Sequence, residues 1–279
     1  MKTMQPAAPS LLLLIPAYNE EGRIGPVLRD YALHLRSFHR GRYEVLVVLN
    51  GCTDRTLEVV ESVRQEHPEV RAVNFPEAIG KGGALIEGLR MGAEFDLIGY
   101  VDADGATSPA GFLQLVAHAD QADCVIGSRW MHGSVIHQMQ SGRRRFASRV
   151  FHAIVQCLFW MNIRDTQCGA KVMRRAAVEQ VHSALQIADM AFDINLLYAM
   201  KRKGFKILEV PTEWTDRLGS KVVLGRTSLT MLLSIIRLRL VYSPFYNWLR
   251  PLRPLEAWIY RKLRSPAPRR TDKNSIPKK

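Results

Sequence analysis

Ile98-Gly99-Tyr100-Val101-Asp102-Ala103-Asp104-Gly105-Ala106-Thr107 is the stretch on which the reading of this chain turns. Four residues suited to a buried strand run into two carboxylates separated by one small residue, then into a glycine that lets the backbone turn sharply. A strand ending in an acidic pair belongs at the carboxyl edge of an open α/β sheet, where ligands bind. Oxygen donors two residues apart can share a hard divalent cation, Mg²⁺ or Mn²⁺, that keeps its other positions for water and phosphate. A turn that uses Asp only for its turn chemistry is the competing reading, and the acidic pair alone does not separate the two.

Outward from this stretch, strand and helix patterns alternate. Leu11-Leu12-Leu13-Leu14-Ile15 reads as a strand buried on both faces, and Pro16-Ala17-Tyr18-Asn19-Glu20-Glu21-Gly22 as the polar turn at its end. Ile24, Val27, Leu28, Tyr31 and Leu35 then recur at helical spacing over residues 23–38. The unit repeats with a strand over 43–49, a turn at Asn50-Gly51-Cys52-Thr53, and a helix over 54–67 stopped by Pro68. A third strand, 70–75, enters Gly80-Lys81-Gly82-Gly83-Ala84. Amides in such a glycine-rich turn can approach phosphate oxygens and Lys81 can add a point charge, although the spacing matches neither common phosphate-loop fingerprint. Ser108-Pro109 opens a helix running to about Ala119, and 124–127 is a further strand. Four strands alternating with helices before residue 120 predict a mostly parallel, Rossmann-like α/β sheet with flanking crossover helices.

The second half is less regular. Arg129 closes a strand, and a Gly- and His-bearing loop over 130–142 leads into Arg143-Arg144-Arg145. Residues 147–161 form an apolar, aromatic helix that either packs in the core or touches lipid. Asp165-Thr166-Gln167-Cys168-Gly169-Ala170-Lys171 follows, then a helix over 192–203 with Asp193 near its positive end, then a closing strand over 206–211. Over 228–242, Leu229, Leu232, Leu233, Ile236 and Leu240 make one apolar stripe with Arg237 on the polar face. Aromatic and basic residues continue to 264, as in segments that lie at a membrane interface, and a core-docked helix with a solvated basic tail is the alternative. The expected division is a loose leader at 1–10, a catalytic domain at 11–226, an amphipathic extension at 227–264 and a disordered basic tail at 265–279.

The 279 residues suffice for one large domain with an extension, and a formal charge of +13 with pI near 9.9 calls for a partner of opposite sign. Four cysteines without a C-x-x-C pair read as reduced thiols in a cytosol-facing protein, and His132 and His137 are not at zinc spacing. Leu11–Ile15 is too short for a signal peptide's core, and no run reaches spanning length, so any membrane attachment is expected to be peripheral, on the inner face.

The five motifs, in order from Pro16-Ala17-Tyr18-Asn19-Glu20-Glu21 through Asn50-Gly51-Cys52-Thr53-Asp54-Arg55-Thr56, Gly80-Lys81-Gly82 and Asp102-Ala103-Asp104 to Asp165-Thr166-Gln167-Cys168-Gly169-Ala170-Lys171, resemble glycosyltransferases of family 2 with the GT-A fold. Within that family the likeness is to dolichyl-phosphate glucosyltransferases and other polyprenyl-phosphate hexosyltransferases. Ser220-Lys221-Val222 and the string from Arg226 to Leu232 extend it, for a coverage of residues 11–242. The resemblance implies transfer of a hexose from a nucleotide sugar, UDP-glucose or GDP-mannose, to a polyprenyl phosphate, with inversion and with Mg²⁺ or Mn²⁺. It implies donor contacts at Pro16, Ala17, Tyr18, Glu20, Asn50, Lys81, Asp102, Ala103 and Asp104. The metal would sit at Asp102 and Asp104, the acceptor phosphate at Arg129, Arg144 and Ser148. Asp165 and Asp193 match acidic positions near the transferred sugar and join Asp104 as catalytic candidates.

Three departures stand out: Leu49-Asn50 replaces an aspartate pair, Ala106 replaces a glutamine, and the spanning helices of several relatives are missing. Two other functions compete, a family member acting on a soluble or phosphorylated acceptor and a non-catalytic basic protein that binds nucleic acid. No nucleic-acid motif supports the second, so no such partner is expected.

Overall fold

The computed structural model describes residues 8–137, 142–187, 189–215 and 224–243, with the backbone alone at 143–147 and 224–229. In chain order its elements are β1 (Leu11–Ala17), α1 (Ile24–Phe38), β2 (Tyr43–Asn50), α2 (Thr56–Glu66), β3 (Val70–Phe75), α3 (Lys81–Arg90), β4 (Leu97–Tyr100), α4 (Pro109–Ala117), β5 (Cys124–Ser128), β6 (Val135–Ile136), α5 (Gly142–Phe159), β7 (Lys171–Arg174), α6 (Arg175–Val181), α7 (Phe192–Arg202), β8 (Ile207–Pro211), β9 (Glu213–Trp214) and α8 (Leu224–Val241). The leader residues 1–7, the Ser220-Lys221-Val222 string and everything from 244 onward lie outside the described residues. The chain divides into a unit at Met1–Lys221 and a second at Val222–Lys279, which contains α8.

Seven strands form one sheet in the order β3-β2-β1-β4-β7-β5-β8. β1 pairs parallel with β2 and β4, β2 with β3, and β5 with β8, while β7 runs antiparallel between β4 and β5. The parallel expectation holds, because β1 and β2 are apolar on both faces and their crossovers are helices packed on the sheet. β7 was not expected. Its four residues, Lys-Val-Met-Arg, are headed by a lysine and flow directly into α6, so no periodicity marks them as a strand. A second small sheet joins β6 to β9 in parallel inside what reads as a loop.

Two boundaries are corrected. α5 starts at Gly142, so Arg143, Arg144 and Arg145 occupy the helix's first turn and not a preceding loop. Ser10, placed in the leader, is tied to the sheet edge, its amide and hydroxyl donating to Asp96 Oδ2 at 2.9 and 2.7 Å. Among the described residues no helix is long and apolar enough to cross a membrane.

The sheet's centre has no spare room. A Cβ on Gly99, in the middle of β4, would lie 2.6 Å from the Phe112 ring and 3.0 Å from the Lys171 carbonyl. Gly99→Ala is expected to cost about 1–3 kcal/mol through overpacking, read as a lower urea midpoint with an unchanged slope.

Candidate active site

The sheet register brings the motif ends together. Leu14 pairs with Tyr100 across β1 and β4, and Val101 donates its amide to the Leu14 carbonyl at 3.0 Å. Continuing that parallel register, Asp102 leaves the sheet beside Pro16, at the same carboxyl edge as the Tyr18 turn. β1 and β2 end there too, and their turns are stitched to each other. Asn19, at φ 55°, accepts the Thr53 amide through Oδ1 at 2.8 Å. Thr56, fully buried, accepts the Glu20 amide at 2.8 Å and donates to Asp54 Oδ1 at 2.5 Å. Glu21 accepts the Arg55 amide at 2.9 Å and Glu20 chelates Arg23. Tyr18 is left 37% exposed on this braced turn, while Ala17 and Ala103 are buried.

Asn50 and Lys81 shape the glycine turn and the acidic pair. Asn50 is buried, its Oδ1 accepting the amides of Ile79 at 2.7 Å and Gly80 at 3.1 Å. Its carboxamide oxygen is thus spent on shaping the glycine turn and is not available to read a base. Gly80, at φ 82°, then starts α3 with Lys81 as first residue. Lys81 Nζ sits 2.5 Å from Asp102 Oδ1. Burial pulls its pKa down, but Asp102 and Asp193 outweigh it and hold the ammonium charged.

Asp104 accepts the Ala106 amide at 2.9 Å, and burial together with the Asp102 charge raises its carboxyl above the ordinary value. Two carboxylates that destabilise each other, one with a single lysine for company, form a hard-oxygen set that fits a divalent cation. No cluster of three or more metal-binding side chains occurs among the described residues. Asp102 and Asp104 would therefore share the ion with substrate phosphates and water.

The floor under Asp102 comes from β7. In the antiparallel register Tyr100 faces Lys171, which carries Gly169 opposite Asp102. A Cβ on Gly169 would lie 2.7 Å from the Asp102 carboxyl carbon, so only glycine permits the approach. Lys171, fully buried, donates to the Cys168 carbonyl at 2.7 Å and to Asp193 Oδ1 at 2.5 Å. Tyr100 also donates its hydroxyl to Asp193. Asp193, expected beside the sugar, is 4% exposed and turned into this pair. Its carboxylate faces the protein interior in this structure. The signal in the sequence was Lys171 itself, a lone charge heading Val172 and Met173.

Arg129 follows β5 at the same carboxyl edge of the sheet as the acidic pair, with β7 between its strand and β4. Its guanidinium forms two bonds to Asp165, at 2.7 and 2.9 Å, and its amide a third at 3.0 Å. It lies 5.3 Å over the Trp214 ring, and although burial pulls its pKa down, Asp165 above all, with smaller help from Asp102, holds the guanidinium charged. Asp165 is 3% exposed and both its oxygens accept from Arg129, so it positions that arginine. Glu209 accepts the Arg164 and Asp165 amides and fixes that loop. Trp214 in turn bridges to Thr107 while Thr215 donates to the Ala106 carbonyl at 2.9 Å, joining the arginine side to the acidic loop. Ser148 is half-buried on α5, and the Arg144 side chain lies outside the described ones.

A cation-fitting acidic pair after the fourth strand, a braced turn after the first, and a mostly parallel sheet interrupted by one antiparallel strand define a GT-A glycosyltransferase. A glucosyl-3-phosphoglycerate synthase from Mycobacterium tuberculosis, solved with phosphoglyceric acid, shares the fold with TM-score 0.62 at 19% identity, over 82% of this chain and 80% of that one. The Glycosyl transferase family 2 model matches residues 13–181, and the chain belongs to that family. A dolichyl-phosphate beta-glucosyltransferase of Mus musculus is 34% identical over 246 residues, 83% of this chain and 75% of that protein. Glycosyltransferase AglD of Haloferax volcanii is 31% identical over 228 residues, 81% of this chain but 36% of that longer protein.

Two outcomes are expected. Gly169→Ala should displace the Asp102 carboxylate and lower turnover about 100-fold, with a melting temperature near that of the unsubstituted protein. Arg129 and Lys171 hold the carboxyls of Asp165 and Asp193 below their ordinary value against the opposing effect of burial. Both groups thus add stability that is complete above about pH 4 and is lost as pH falls through the lowered values. Circular dichroism across an acid titration reads that loss, and a protein that unfolded on rising from pH 5 to 7 would contradict it.

Proposed function

We propose that this protein transfers glucose from a nucleotide sugar to a polyprenyl phosphate, with inversion at the anomeric carbon, at the surface of a membrane. The observation that carries the reading is the Asp165-pinned Arg129 guanidinium at the same carboxyl edge of the sheet as a carboxylate pair suited to a cation. Such an arrangement suits two anions that must meet, a diphosphate on the acidic side and a monoester phosphate on the arginine side. The relatives named as dolichyl-phosphate beta-glucosyltransferases support the choice of glucose and of a lipid-linked phosphate.

In this reading the turn at Pro16, Ala17 and Tyr18, with Ala103, holds the nucleoside, and Asp102 and Asp104 would hold an Mg²⁺ or Mn²⁺ that would offset charge on the departing diphosphate. Arg129, with Arg144 and Ser148 on α5, aims an acceptor oxygen at the anomeric carbon from the face opposite the leaving group. That oxygen bonds to the carbon as the bond to the diphosphate oxygen breaks. The acceptor is already ionised at neutral pH, so no side chain has to remove a proton. This agrees with the occupied oxygens of Asp165 and the buried carboxylate of Asp193. Arg237 and the basic residues beyond it serve the membrane surface on the inner, cytoplasmic face.

The test supplies UDP-glucose or GDP-mannose with undecaprenyl or dolichyl phosphate, with Mn²⁺ or Mg²⁺ and with a chelator. Glucosyl-lipid should form from UDP-glucose only with a divalent ion, and Asp104→Asn should abolish it. Arg129→Lys should raise the acceptor KM about tenfold or more by losing the bidentate grip on Asp165. Equal transfer to a soluble phosphorylated acceptor would replace the lipid reading with the soluble one.

A further inference from the structure

Lys171 and Asp193 form an ion pair whose side chains are 0% and 6% exposed. Neither side chain reaches the surface, and an apolar pair of similar volume would fill the space without the desolvation that two charges entail. What an apolar pair could not do is reach the Cys168 carbonyl, which accepts from Lys171 Nζ at 2.7 Å. That carbonyl belongs to the turn whose next residue, Gly169, presses on the Asp102 carboxylate from below. Lys81 holds Asp102 from another side, at 2.5 Å. The ammonium of Lys171 is itself fixed by Asp193, by the Tyr100 ring 5.4 Å away, and through Asp193 by the Tyr100 hydroxyl. Tyr100 lies two residues before Asp102 on the same strand, so the chain of contacts closes on itself.

We propose that Lys171, anchored by Asp193, is a positioning residue that sets the Asp102 carboxylate for cation binding by fixing the Cys168-Gly169 turn against it. The proposal rests on the reading of Asp102 and Asp104 as holders of a cation with a nucleoside diphosphate, and on nothing about the acceptor. It also gives Asp193 a role different from proton transfer: its carboxylate serves the lysine and touches no substrate.

The decisive measurement is Mn²⁺ binding by the purified full-length protein, read from the electron paramagnetic resonance of free Mn²⁺ with UDP, or separately GDP, present. Lys171→Met alone would leave Asp193 charged and unpaired in the interior and could unfold the chain. The informative variant therefore carries Lys171→Met together with Asp193→Asn, which removes both charges and keeps an acceptor for the Tyr100 hydroxyl. Asp193→Asn alone is the milder arm. The double variant should keep its circular dichroism and a cooperative thermal transition, with a lower midpoint, while binding Mn²⁺ about 10- to 100-fold more weakly, the usual penalty for removing a group that orients a metal ligand. Its turnover should recover at saturating Mn²⁺.

A folded double variant with the unsubstituted protein's Mn²⁺ affinity would overturn the proposal and leave the glycosyltransferase reading intact. So would turnover that no Mn²⁺ concentration restores, since that marks Asp193 as a group acting on substrate. Failure of the unsubstituted protein to bind Mn²⁺ with either nucleotide would instead remove the donor-site reading, and this proposal with it.

Discussion

Two carboxylates at the end of one short strand repel each other, and much of the site is arranged around holding them there. The repulsion is visible in Asp104, whose carboxyl is raised above its ordinary value by burial and by Asp102. Sheet pairing on both sides of β4 keeps the strand from yielding. Lys81 offsets part of the charge, and the Gly169 turn closes the space into which Asp102 would otherwise swing. Two carboxylates incompletely neutralised by one lysine make a donor set of the kind that suits a divalent cation.

The arginine side obeys a different rule. Arg129 is held by a carboxylate using both oxygens, by its own amide, and by the face of Trp214, so its guanidinium pays little entropy on meeting an anion. Asp165 and Asp193 illustrate how one residue type divides its labour. Each is almost fully buried and each forms an ion pair, Asp165 with Arg129 and Asp193 with Lys171.

Most of the parallel half could be read directly from the chain. Leu11–Ile15 is too apolar to be anything but a strand covered on both faces, and Ser108-Pro109 announces its helix, the serine hydroxyl accepting the Gly111 amide at 3.1 Å. The acidic pair, the Tyr18 turn and Arg129 were likewise placed at one edge by pattern and resemblance together. What the chain concealed were contacts made across the sheet. Asn50 looks like a ligand contact because it follows a strand, and only the fold reveals the Ile79 and Gly80 amides waiting for its oxygen. β7 was hidden because four residues headed by a charge carry no period, and the importance of Gly169 was hidden with it. Trp214 and Glu209 gave no signal, since their partners lie more than 40 positions away.

The antiparallel strand has a consequence for how the protein is made. Every strand of the donor half, from β1 to β4, lies within the first 100 residues, and those strands pair with one another before anything later is needed. The floor beneath Asp102 arrives only with residues 168–174, and the loop pinning Asp165 only with Glu209. A growing chain can therefore assemble its sheet early, with translation running N-terminal first, but it holds no working cleft until some hundred further residues have left the ribosome. Premature termination between residues 105 and 168 would leave β4 unpaired on one side and Asp102 without the Gly169 turn beside it.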